Sequence, residues 1–283
     1  MPERWVLPLF VVTMLSSVHR CNVVVFFCVV EKIASPESRI VGNVRVNVTE
    51  SDLPYVCSLR LQTVHRCCAT ILNPNWLLTS GHCITDLPVD AISIVCGIHM
   101  YRFVSQIVPH PNFDANKWTG HDLALHRMRN ALNFTSNVQP IPLHDGAELP
   151  VDGTSGKVTI VGYDRFRFED ESGSNWWNPM LQMADVPILS SCECQQRLGP
   201  MLSTYLTDVN ICTDNVASTL PAIDGTSTCL GDSGAPVMIA TELQPYNLLA
   251  IPSWTVAPCG TGPSVHVRVA PHLDWILTTI GVN

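Results

Sequence analysis

A chain of 283 residues, 46% hydrophobic and 14% charged, carries enough apolar material for a folded core and excludes a disordered polymer. Its formal net charge of −8 comes without any Lys/Arg-rich run, so it has no phosphate-binding stripe and nucleic acid is excluded as a partner. Twelve cysteines mean metal or redox chemistry inside a cell, or disulfides outside it, and the N-terminus decides between the two.

Residues 5–15 follow Arg4 and read as the apolar core of a signal peptide, with a second apolar run over 23–30. His19, Arg20 and Asn22 separate them, so no uninterrupted stretch reaches the ~18–20 residues of a spanning helix. No small-x-small cleavage site stands out, initiation at Met14 would also leave a signal-like segment, and an uncleaved anchor through 5–30 is the alternative. Export is supported by two glycosylation sequons, Asn47-Val-Thr49 and Asn133-Phe-Thr135.

Beyond residue 39 short strands follow one another: Val56–Leu61, Cys68–Leu72, Trp76–Thr79, Ile92–Cys96, Val158–Val161, Pro236–Ala240 and Leu248–Ser253. They are rich in Val, Ile and Leu and are edged by Gly, Pro, Asn or Asp. No β–α alternation appears, which disfavours a parallel sheet and predicts a barrel or sandwich. Residues 164–178 read as the most loop-like segment. One helix is predicted last, over Ala270–Ile280, with Pro271 near its start, Leu273, Ile276, Leu277 and Ile280 at helical spacing, and Gly281 as a stop. No internal repeat is visible.

The chemistry concentrates in three stretches. In Cys229-Leu-Gly-Asp-Ser-Gly-Ala-Pro-Val237, Gly231 and Gly234 permit a tight turn around Ser233. A serine hydroxyl needs a base to take its proton and N–H donors for the oxyanion it creates, and Gly231 and Ser233 offer such donors. Trp76-Leu-Leu-Thr-Ser-Gly-His-Cys83 supplies a histidine after an apolar strand, and Asp122-Leu-Ala-Leu125 a carboxylate at the edge of another.

With these motifs in the order His, Asp, Ser, residues 40–283 resemble the trypsin/chymotrypsin family. The resemblance implies an all-β fold: two antiparallel six-stranded Greek-key β-barrels, about 40–148 and 149–269, with the active site in the cleft between them and a C-terminal helix over about 270–281. It implies a serine endopeptidase in which Ser233 attacks the scissile carbonyl, His82 relays the proton and Asp122 holds the imidazole. It also implies a zymogen. Arg39-Ile-Val-Gly-Asn43 matches the family's activation site, so residues 1–39 would be signal and propeptide. Cleavage after Arg39 would free the Ile40 ammonium to pair with Asp232, whose buried carboxylate is otherwise costly by roughly 3–5 kcal/mol. The chain departs from the family at Asn43, Gly81, Tyr163-Asp164 and Ala235.

By the same resemblance, Cys67–Cys83, Cys194–Cys212 and Cys229–Cys259 are disulfides. Cys57, Cys68, Cys96 and Cys192 have no family partner; Cys57 and Cys96 either pair or stay as buried thiols. A zinc site from Cys192/Cys194 or Cys67/Cys68 lacks the usual two-residue spacer. His110, in Pro109-His-Pro-Asn-Phe113, matches a structural turn, and His121 and His126 read as packing or surface residues. The stretch 97–110 is too short for the family's calcium loop and holds no Asp or Glu, so no metal and no cofactor are expected.

The family's pocket floor corresponds to Ser227, which gives Lys or Arg no carboxylate partner. Thr255, after Ser253-Trp254, and Ser264, in Gly262-Pro-Ser-Val265, stand at its walls and narrow the slot, as in elastases. Small or medium apolar residues are expected before the scissile bond, and the backbone of Ser253–Thr255 would pair with the substrate. Implied partners are protein or peptide substrates, an activating trypsin-like protease and protein protease inhibitors, with the enzyme a secreted monomer. The competing reading is a catalytically silent homologue that binds partners through the same fold.

Overall fold

Apolar runs broken by turn-forming residues form antiparallel strands along the described residues. The computed structural model describes residues 46–85, 87–117, 120–146, 156–163, 166–169, 175–178, 181–214, 226–242 and 244–281. The expectations for the signal segment, Arg39, Ile40 and Asn43 lie outside these residues, as does Asp164.

After a short strand β1 (Val46–Val48) come β2 (Val56–Leu61), β3 (Val64–Asn73), β4 (Trp76–Thr79), β5 (Ile92–Cys96), β6 (Met100–Pro109) and β7 (Ala124–Met128). They close into a barrel in the order β2-β3-β4-β7-β6-β5. The β3–β4 turn shows how the sequence sets this locally: in Asn73-Pro74-Asn75, the Asn75 N–H donates to Asn73 Oδ1 at 2.9 Å, an Asx turn with proline fixing the bend. The barrel is filled by Leu59, Ile71, Leu77, Ile92 and Ile94, all fully buried, each worth about 1.5–3 kcal/mol of burial.

The second barrel is formed by β8 (Lys157–Tyr163), then, past a hairpin of β9 (Phe166–Glu169) and β10 (Asn175–Asn178), by β11 (Leu181–Leu189), β12 (Asn210–Thr213), β13 (Val237–Ile239), β14 (Asn247–Thr255) and β15 (Ser264–Arg268). Its order is β8-β11-β12-β15-β14-β13, and β13 pairs back onto β8 to close it. Taken first to sixth, the strands of both barrels therefore run one, two, three, six, five, four, a Greek-key repeat in topology that the sequence does not display. β1 joins the second sheet by pairing with β11.

Two differences from the sequence reading stand out. The segment expected to be most loop-like contains the β9–β10 hairpin. A second helix, α1 (Ser191–Leu202), precedes β12; Ser190 caps it, its side chain accepting from the Glu193 N–H, and Gly199 at φ 72° kinks it before Pro200. The predicted final helix is a 3-10 turn over Ala270–His272 followed by α2 (Leu273–Ile280), ended by Gly281 at φ 78°. Ile276 of α2 joins a buried cluster that draws on both barrels, including Leu78, Leu125, Val161, Met238 and Ile251. That shared core fixes the barrels against one another and hence the cleft at their junction.

Candidate active site

Strand register brings the histidine and the aspartate together. β4 and β7 pair antiparallel with Thr79 opposite Ala124, so the residues just past β4 and just before β7 emerge at one end of the barrel. His82 sits in the turn Gly81–Cys83 and Asp122 two residues ahead of β7. His82 Nδ1 lies 2.7 Å from Asp122 Oδ2, and the His82 N–H donates to Asp122 Oδ1 at 2.8 Å. Ser253 Oγ, from β14 of the other barrel, donates to Asp122 Oδ2 at 2.6 Å. Asp122 is 6% exposed, so this buried carboxylate is satisfied by three donors and its position is fixed. Across the cleft, His82 Nε2 lies 3.0 Å from Ser233 Oγ, within reach for proton transfer. Gly81 is explained by its neighbour: a Cβ there would press on the Phe113 ring at 3.0 Å.

The nucleophile turn is held from several sides. The Asp232 N–H donates to the Cys229 carbonyl at 3.0 Å and the Ala235 N–H to the Asp232 carbonyl at 2.9 Å. Gly231 and Gly234 take φ of 99° and 86°, and any side chain at Gly234 would collide with the Cys68 carbonyl. The Cys68 N–H donates to the Ser233 carbonyl at 2.7 Å, which anchors the turn on β3 of the first barrel. Asp232 is 2% exposed and its Oδ2 accepts from the Cys229 N–H at 2.8 Å. Gly162 lies so close beneath this carboxylate that a Cβ would overlap Oδ1. Ala235 is fully buried and leaves the turn intact.

Sequence reasoning missed His65. Its Nε2 is 3.1 Å from the Gly231 carbonyl, which can only accept, so Nε2 carries the proton. Nδ1 lies 2.8 Å from Ser58 Oγ, which accepts from Arg60 Nε at 3.2 Å. The relay ties down the carbonyl of Gly231, the residue whose own N–H, in the preceding peptide, is a candidate oxyanion donor. No motif marks it, because Ser58 and His65 meet only through the β2–β3 pairing.

Of the pocket residues, Ser227 is buried at 1% exposure with its hydroxyl donating to the Thr228 carbonyl at 3.1 Å. Thr255 Oγ1 and Ser264 Oγ hydrogen-bond to each other at 3.0 Å across the β14–β15 pair, beside the Cys229–Cys259 disulfide. Ser253 and Trp254 continue β14 toward Asp122. None of Ser227, Thr255 or Ser264 lines the open cleft of about 500 Å³ beside His82 and Ser233. That cleft is walled by Leu61, Val64, Arg66 and Leu230, with Leu230 67% exposed, and these residues too were not singled out by sequence.

Cys67–Cys83, Cys194–Cys212 and Cys229–Cys259 are bonded, and so are Cys57 and Cys96, which face each other directly across β2 and β5. Cys192 is disulfide-bonded as well. Cys68 is a buried thiol whose Sγ donates to the Gly231 carbonyl at 3.4 Å; burial, and then the Asp232 charge, push it well above its ordinary pKa. Neither cysteine pair considered for zinc therefore offers two free thiolates. Burial first, then His272 and His121, pull His110 down to about 4. Burial and His121 pull His272 to about 4 against an opposing pull from the Gly120 backbone. His126 is fully buried and driven by that burial to about 4.

Paired closed barrels with a histidine bridging a buried carboxylate and a serine define a chymotrypsin-like serine protease scaffold. The Trypsin family model matches residues 40–276, and the chain belongs to that family. It is 28% identical over 271 residues to a protein described as serine proteinase stubble from Drosophila melanogaster, a match that covers 88% of this chain and 32% of the relative. The chain thus spans about a third of that relative's length. Membership with four disulfides among the described cysteines is typical of extracellular proteins, and no helix among the described residues is long and apolar enough to cross a membrane.

Proposed function

We propose that the chain is a secreted serine endopeptidase, made as a zymogen and activated by cleavage after Arg39. The observation that carries the reading is the continuous contact from Asp122 through His82 to Ser233, at 2.7 and 3.0 Å. In the reaction His82 Nε2 takes the Ser233 proton as Oγ attacks the carbonyl, and the imidazolium formed is held by Asp122. The tetrahedral oxyanion is received by the N–H groups of Gly231 and Ser233. The proton then passes from His82 to the leaving amine, and water repeats the sequence in reverse to free Ser233.

Activation is supported by the Arg39-Ile40 junction and by the burial of Asp232 beside the nucleophile. Selection of small or medium apolar residues before the scissile bond is supported by the uncharged Ser227 and by the Thr255–Ser264 hydroxyl pair. Glycosylation at Asn47 and Asn133 is supported by the exposure of both side chains. A fluorophosphonate probe tests the reading: it is expected to label Ser233 after cleavage at Arg39, weakly in the uncut chain and not in His82→Ala. Cleaved, folded protein that resists the probe would point instead to a silent homologue.

A further inference from the structure

Three histidines outside the reaction meet where the end of β6, the segment before β7 and the turn ahead of α2 come together. His110, His121 and His272 each offer a ring nitrogen, and these atoms lie within 4.8 Å of one another. His110 Nε2 is 3.2 Å from His272 Nδ1. The rings of His110 and His121 stack with centroids 4.9 Å apart, and His272 stands nearly perpendicular to both. Trp275 covers His110 edge-on at 4.7 Å, giving the cluster an apolar wall. His272 is 3% exposed and His110 7%. His121 Nδ1 is buried with no partner in hydrogen-bond geometry among the described residues, whereas His272 Nε2 lies on the side of its ring away from His110, and that ring has the Gly120 backbone beside it. Buried polar atoms are almost always satisfied, so this orphaned nitrogen beside two further ring nitrogens calls for an occupant.

We propose that His110, His121 and His272 form a binding site for one divalent cation of the zinc class. The grouped donors are imidazoles only, a set that suits zinc, copper or nickel and not calcium or magnesium, which need oxygen. A tetrahedral ion with bonds of about 2.0–2.1 Å holds its nitrogens ~3.3 Å apart, close to the His110–His272 spacing, and the His121 ring turns out of its stack on His110 to direct a lone pair at the same point. The fourth corner is left for water. The Asn112 N–H donates to His110 Nδ1 at 3.2 Å, so without metal the His110 proton sits on Nε2, directed at His272 Nδ1. Ligation through Nε2 displaces that proton, so acid weakens binding. The proposed site departs from the sequence expectation of no metal, which weighed the calcium loop and the cysteines and not these three residues together.

The test uses the full chain carrying Ser233→Ala, which keeps it independent of the peptidase reading. After dialysis against zinc, metal analysis is expected to find about one equivalent per chain, cobalt to give the intense visible bands of a tetrahedral site, and zinc to raise the thermal midpoint. Each of His110→Gln, His121→Gln and His272→Gln is expected to weaken zinc at least ~10-fold, and His82→Ala to leave binding unchanged. His121 is only partly buried, so H121Q is the variant that best spares the fold, verified by its metal-free thermal midpoint. Binding well below one equivalent, or binding unaffected in a folded H121Q protein, overturns the proposal.

Discussion

Gly162→Ala is the substitution that most sharply separates catalysis from folding here. Gly162 lies on β8, away from the reacting atoms, yet a Cβ built on it overlaps Asp232 Oδ1 and stands 2.9 Å from Oδ2. The carboxylate cannot turn aside freely, because Oδ2 already holds the Cys229 N–H and the residue is 2% exposed. Something must shift by about 1 Å, and the next residue along the chain is Ser233, whose Oγ must stay 3.0 Å from His82 Nε2. A misplacement of about 1 Å at a reacting centre costs about 10²-fold in rate, whereas local overpacking costs about 1–3 kcal/mol of stability. The cleaved G162A enzyme is therefore expected to lose about 10²-fold in kcat/KM on a peptide amide while still unfolding cooperatively. The assay is steady-state kinetics alongside thermal unfolding. Wild-type kcat/KM in G162A would refute the coupling of Asp232 to the nucleophile.

His65→Ala removes one donor to the Gly231 carbonyl, leaving the Cys68 thiol, and loosens the residue whose N–H faces the oxyanion; it is expected to lower kcat about 10-fold or more with KM little changed. Thr255→Gly combined with Ser264→Gly opens the slot that their hydroxyl pair spans, and should raise the ratio of kcat/KM for Phe-ending over Ala-ending amides by about 10–200-fold; an unchanged ratio would show that the slot is limited elsewhere. Acid should destabilise the fold. His126 and His266 are driven to about 4 and about 3 by burial, below the ~6.5 of an unfolded chain, so the unfolded state binds more protons between these values. The stability they contribute is complete above about pH 6.5 and falls as pH drops toward 4, and thermal midpoints measured from pH 7.5 to 4.5 should decline across that window.

What could be read from the sequence follows from how local the determinants are. Val56–Leu61, Trp76–Thr79 and Ile92–Cys96 are rich in Val, Ile and Leu with turn formers near their edges, and each is a strand with those limits. The three motifs around His82, Asp122 and Ser233 could be assembled because acyl transfer requires those residue types, whatever the fold that carries them. α1 was hidden because Cys192, Cys194 and the Gly199-Pro200 pair argue against a helix; the Ser190–Glu193 cap was the available sign. The repeat of strand order in the two barrels is carried by pairing and not by residue identity. His65, Leu230 and the His110–His121–His272 cluster depend on contacts between segments distant in the chain, and no local pattern encodes them.

The central claim is that His82, held by Asp122, makes Ser233 a nucleophile. Mixing the Arg39-cleaved enzyme with a chromogenic ester and recording the first turnover measures this directly. A burst of one product equivalent per chain is expected, with the acyl group found on Ser233 by mass spectrometry, and both should vanish in His82→Ala. A burst that persists at full amplitude and rate in His82→Ala, or an acyl group on any residue other than Ser233, would contradict the account.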